Sequence, residues 1–121
     1  MAYLTYAEYQ SMGGTLTQAA FSGFAFAADR HIDRLTHDRV ASETPVREAV
    51  KRLAFRVIEF LHTSDEAMSA GIKSASNGAA SVTYFTPKDI RAQIARFAVD
   101  YLAGEVTDDG ILLTYAGVDD A

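Results

Sequence analysis

The chain has no cysteine, no tryptophan and only two prolines among its 121 residues. Without cysteine there is no disulfide, no thiolate metal site and no sulfur nucleophile. The redox compartment stays open, because a cysteine-free chain tolerates either setting. No apolar run approaches the ~18 residues that a membrane span requires, so no membrane partner is expected. The opening MAYLTYAEYQ has no basic segment ahead of an apolar one, and no secretory signal is expected. Three catalytic signatures are also missing: the G-x-S-x-G elbow, a glycine loop that cradles phosphate, and the H-E-x-x-H zinc motif. The expectation is a protein that is not an enzyme and holds no cofactor and no metal.

Positive charge is missing from one end. Residues 97–121 carry Asp100, Glu105, Asp108, Asp109, Asp119 and Asp120 and no lysine or arginine, while the rest of the chain is close to neutral. The net charge of −5 therefore sits in an acidic C-terminal segment, 105–121, which is a poor binder of phosphate backbones. What remains is a globular composition, 49% apolar and 22% charged, enough for a single domain over 1–121 with one core.

Helical grammar dominates that domain. A short helix is expected after Thr5, running to about Met12 and stopped by Gly13-Gly14. Thr15 or Thr17 then opens a second helix. Its stripe of Phe21, Phe24, Ala25, Ala28, Ile32 and Leu35 recurs at three- and four-residue steps and faces the core. Thr44 as N-cap and Pro45 at the first helical position mark a third helix. Its stripe of Val50, Leu53, Ala54, Val57, Phe60 and Leu61 carries it to about Thr63. Residues 64–80 are small, polar and glycine-containing, and Asn77-Gly78 is a hairpin-turn dipeptide. Ile72–Ser76 and Ala80–Phe85 are expected as the two arms of a mobile hairpin. A fourth helix follows, capped by Thr86 and Pro87, with Ile90, Ile94, Phe97 and Tyr101 inward and Gly104 as its stop. Asp109-Gly110 turns the chain into ILLTYAGV, a strand or an extended tail docked on the bundle. The fold class is mainly α: a small bundle of about four helices with a β-hairpin or long flexible arm between the third and fourth.

Residues 30–40, RHIDRLTHDRV, hold two of the three histidines beside two aspartates and three arginines. On a helix Asp29, Asp33 and His37 share a ridge, and Asp33 with His37 has the i,i+4 spacing of a metal-chelating pair. Two ligands fall short of the three or four a metal site needs, so a solvated helix face is expected. Arg47, Lys51, Arg52 and Arg56 put bases on the outer half of the third helix. That face supports an alternative function, a small DNA-binding or packaging-accessory protein. Glu48 and Glu59 lie among those bases, however, and the chain as a whole is acidic. Phe26 and Phe55 fall off the apolar stripes, among Arg30, Asp33, Arg52 and Arg56; aromatics rimmed by charge are what a subunit interface looks like, unless other parts of the chain cover them.

The order of features resembles a known family. YLTYAEYQSMGG at the start, Ile32-Asp33-Arg34-Leu35-Thr36, PVREAV at 45–50, SNGAASVTY at 76–84 and LTYAGV at 113–118 together resemble the small head–tail connector proteins of tailed phages and prophages of Gram-positive bacteria, also called head-completion or adaptor proteins. The resemblance spans about residues 3–119. It implies a structural virion protein: about a dozen copies ring beneath the portal protein, extend the channel through which duplex DNA passes non-specifically, and dock the next connector or stopper protein. Its place would be the virion head–tail interface, after assembly in the host cytoplasm. By position, Lys73, Asn77, Gly78, Val82 and Tyr84 fall in the flexible arm at 72–85, and Tyr115, Gly117 and Val118 in a C-terminal contact with a neighbour.

Overall fold

A computed structural model describes residues 3–76 and 87–115, and within 67–76 the backbone alone. Four helices follow in order: α1 over Tyr6–Ser11, α2 over Gln18–Leu35, α3 over Glu48–Ser76 and α4 over Pro87–Tyr101. The mainly helical class is as expected.

Each of the first two helices starts where its cap chemistry directs. Thr5 accepts from the Glu8 N–H and Glu8 returns a bond to the Thr5 N–H, a complete capping box. Gly13 then leaves α1 at φ +97°, a conformation that side chains with a Cβ rarely adopt. Thr17 caps α2 through the Ala20 N–H. The other end of α2 closes in a Schellman motif. Asp38 N–H bonds the Asp33 carbonyl at 2.9 Å and His37 N–H bonds that of Arg34 at 3.4 Å, with His37 and Asp38 at φ +53° and +60°.

The core is built from small and branched residues on three helices. Ala25, Ala28 and Ile32 of α2 are buried against Val50, Leu53, Ala54, Val57 and Ile58 of α3, and Ile94, Phe97 and Ala98 of α4 complete the cluster. The alanines give α2 no bulk on this side and let it lie close to α3. Tyr9 of α1 is wholly buried, with its ring 4.9 Å from Phe21 and 5.5 Å from Phe55. Its hydroxyl donates to Glu59 at 2.7 Å and accepts from the Leu16 N–H at 3.1 Å, so a short helix is tied to both α2 and α3.

Several expectations need correction. Helix α3 does not begin at Pro45: the Thr44–Pro45 peptide is cis, and the Arg47 carbonyl takes the first helical bond, from Lys51. Nor does it end near Thr63. It continues to Ser76, so Ile72–Ser76, expected as a hairpin arm, is helix. Residues 64–76 lack a stripe of large apolar side chains, but alanine, methionine, glutamate and lysine are good helix formers without one. The other proposed arm and the Asn77-Gly78 turn lie outside the described residues, as does Thr86. Tyr101, the last residue of α4, is exposed rather than inward, and the next residue, Leu102, is buried there instead.

Past Gly104 the chain folds into a tight loop. Thr107 N–H bonds the Ile111 carbonyl and Leu113 N–H bonds that of Glu105, which leaves Val106 and Leu112 as a facing antiparallel pair. Leu113 is fully buried and plugs the end of the core. The ILLTY run is thus a docked tail.

Candidate functional site

Two arginines outside the helices hold the C-terminal loop. In a facing pair of this kind the backbone groups of both residues point outward, away from each other. Arg47 Nη1 takes the Val106 carbonyl on one outer edge at 3.0 Å. Arg39 Nη1 takes the Leu112 carbonyl on the other at 2.9 Å, and also reaches Leu113 at 3.0 Å and Tyr115 at 2.5 Å. Arg47 is itself positioned by ion pairs to Glu43 and to Glu105, the latter at 3.2 Å. Tyr115 is exposed, with the Arg39 guanidinium 5.8 Å from its ring centre. These acceptors are backbone carbonyls, which no residue pattern advertises.

A second arrangement lies on the outer side of α2. Tyr3 is buried there, its hydroxyl donating a short hydrogen bond to Asp33 and its N–H bonding Asp29 at 3.3 Å. Burial, with the Asp33 carboxylate close by, pushes the Asp29 carboxyl up to about 6. Burial and the same hydrogen bond raise the Tyr3 phenol. Both acids of this face are therefore turned toward Tyr3. Arg30 and Arg34 are left exposed and form no ion pair among the described residues. Arg34 bonds His31 Nδ1 at 3.1 Å. Burial holds the His31 imidazole below its usual value, and the cations Arg34 and Arg91 add to that effect.

Phe26 sits in the middle of this face. It is 65% exposed, the Arg30 guanidinium lies 5.8 Å from its ring centre, and an open groove of about 460 Å³ runs past it along Phe21, Asp29 and Asp33. Phe55, its expected counterpart, is half-buried because α1 lies over it and Tyr9 covers the ring. Arg56 turns to the opposite neighbour and stacks on Phe97 of α4 at 4.4 Å, while Arg52 remains exposed with Glu48 at 3.2 Å. The six candidate interface residues thus divide. Phe26, Arg30 and Asp33 share one surface; Phe55 and Arg56 are occupied within the chain on two others.

The metal reading loses its geometry. His37 lies beyond the last turn of α2 in the left-handed conformation, so the i,i+4 ridge from Asp33 does not exist. Among the described residues no group of three or more histidines and acids is placed to hold an ion. Of the four bases expected on the third helix, Arg47 lies just before α3 and is bound to Glu43 and Glu105, while on α3 Lys51 pairs with Glu8, Arg52 with Glu48, and Arg56 stacks on Phe97. No described helix is long and apolar enough to cross a membrane. Lys73 belongs to α3, while Asn77, Gly78, Val82, Tyr84, Gly117 and Val118 lie outside the described residues. Compared with protein-family models, curated proteins and solved structures, the chain has no significant match.

Proposed function

We propose that this chain is a structural assembly subunit, a head–tail connector that rings beneath a phage portal, extends the DNA channel and receives the next connector or stopper protein. The observation that carries the reading is Phe26: a large aromatic left in water at mid-helix, beside two arginines without acid partners, is the pattern of a protein-contact surface. The ordered sequence features over residues 3–119 indicate which assembly it belongs to. The acidic C-terminal segment suits a channel part, since it repels duplex DNA and lets it slide. The alternative, a small DNA-binding or packaging-accessory protein, rests on Lys51, Arg52 and Arg56 of α3 and on Arg47 just before it; each of these bases has an acid or an aromatic ring beside it within the chain, which favours the assembly reading.

Co-expression with a portal protein of a tailed phage, chosen from the genome that encodes this chain, tests the reading. Rings on the portal in electron micrographs, lost on Phe26→Glu while the helical circular dichroism is kept, are the expected result. A chain that ignores the portal and shifts duplex DNA at physiological salt overturns it.

A further inference from the structure

Tyr3 and Leu4 lie outside any helix, yet they are 4% and 1% exposed. One apolar insertion and two carboxylates hold them down. Leu4 belongs to the core cluster. Tyr3 donates its N–H to Asp29 at 3.3 Å and its hydroxyl to Asp33, so one residue bridges two acids a turn apart on α2. Neither acid has an ion pair among the described residues.

The groups around Asp29 decide where its proton goes. On its own helix stand Asp33 and Arg30, which line the same groove. From the N-terminal segment come Tyr3 and the amino terminus, while Asp38, past the end of α2, acts on Tyr3. Burial dominates and, with the Asp33 charge, raises the Asp29 carboxyl from 3.8 to about 6; the Tyr3 N–H and the amino terminus oppose this and are outweighed. The Tyr3 phenol is itself raised by burial and by Asp33, Asp29 and Asp38, so it stays protonated and remains a donor.

The segment that bonds Asp29 is part of what covers it, and lifting Tyr3 and Leu4 returns the carboxyl to water. Ionisation of Asp29 is therefore costly with the segment down and easy with it lifted. The closed state is favoured most below 3.8, and that preference is lost as pH rises through about 6.

We infer that Tyr3 and Leu4 form a proton-controlled latch on α2, closed over a protonated Asp29 and loosened when that carboxyl ionises. The latch borders the groove that runs past Phe26, so its release uncovers more of α2 beside that ring. It is a property of the free chain and does not depend on the assembly reading.

The absence of cysteine makes the test clean, because an introduced thiol is the only one in its chain. Leu4→Cys reports the latch, and Val57→Cys, fully buried in the middle of α3, reports opening of the whole core. Labelling by 4,4′-dithiodipyridine is followed from about pH 4.5 to about pH 7.5, each rate divided by that of an unfolded peptide carrying the same thiol. Local release makes L4C at least about tenfold less protected than V57C. Protection of L4C should fall about fivefold across the range, a modest factor because water screens a half-buried carboxylate. Adding Asp29→Asn should abolish that fall, since the bond to Tyr3 is kept and the charge is gone. Equal protection of L4C and V57C, a flat pH profile for L4C, or an undiminished fall with Asp29→Asn overturns the latch. In the unaltered chain the Asp29 carboxyl carbon should titrate in NMR spectra with a midpoint of about 6. A midpoint at the ordinary value of 3.8 overturns the latch whether or not the cysteine variants fold.

Discussion

Replacement of Arg39 by methionine keeps most of the apolar stem and removes the guanidinium that grips the Leu112 side of the C-terminal loop. Arg39 Nη1 faces three carbonyls but has two hydrogens to give, so the three contacts amount to two bonds, one of them shared. Bonds from a charged donor contribute ~1.5–3 kcal/mol each when buried. Two of these three are exposed, which reduces them to about 1 kcal/mol apiece. The contact with the Tyr115 ring, also exposed, adds ~0.5 kcal/mol. Arg39→Met should therefore weaken closure of the loop by about 2 kcal/mol, or roughly 30-fold in its opening equilibrium. Amide hydrogen exchange reads this directly, because Thr107 and Leu113 N–H close the loop ladder. Both amides should lose about 30-fold in protection, while those in the middle of α3 change far less. Unchanged protection at Thr107 and Leu113 would refute the clamp.

Four further changes probe other parts of the account. Asp29→Asn keeps an oxygen for the Tyr3 N–H and removes a charge whose folded-state pKa is raised from 3.8 to about 6. The Asp29 contribution to stability is complete below 3.8 and is lost as pH rises through about 6. The variant should match the parent at pH 4 and exceed it by ~1 kcal/mol at pH 7, a value reduced because the group is only half-buried; denaturant titrations at the two pH values with no change in the difference would contradict this. Gly14→Ala drives a Cβ to 2.2 Å from the Tyr9 ring, which is fully buried and tethered at its hydroxyl. The ring has no room to yield, so a loss of ~2 kcal/mol or more is expected in urea denaturation. His37→Gly relieves a left-handed residue at the end of α2 and should stabilise the chain by ~0.5–1 kcal/mol, read as a higher midpoint. Leu113→Ala empties a fully buried site at the end of the core and should cost ~2–4 kcal/mol by the same measurement.

Much of the fold was legible because its signals are local. The start after Thr5, the cap at Thr17 (one of two threonines expected there) and the spacing of Ala25, Ala28 and Ile32 each act within one or two turns, and each appears in the structure. The boundaries of α3 were not legible. Thr44-Pro45 has the grammar of a helix start, yet Arg47 is drawn out of the helix by Glu43, Glu105 and the Val106 carbonyl, two of them nearly sixty residues away. The far end misled for the opposite reason, since a helix of small and polar residues shows no stripe. At the site, Phe26 and Phe55 look alike in sequence, and only the return of α1 over α3 separates an exposed ring from a covered one. The run at 30–40 looked like chemistry because its acids were counted with its bases. Tyr3, far off in sequence, bonds Asp33 of this run together with Asp29 just before it, and His37 falls beyond the end of the helix.

The central claim is that this chain is an assembly part acting through the Phe26 face. Electron microscopy of the chain co-expressed with a portal protein from the genome that encodes it tests that claim most directly. The account predicts rings seated on the portal for the parent protein and bare portals for Phe26→Glu. Bare portals with the parent protein, or rings undiminished by Phe26→Glu, would contradict it.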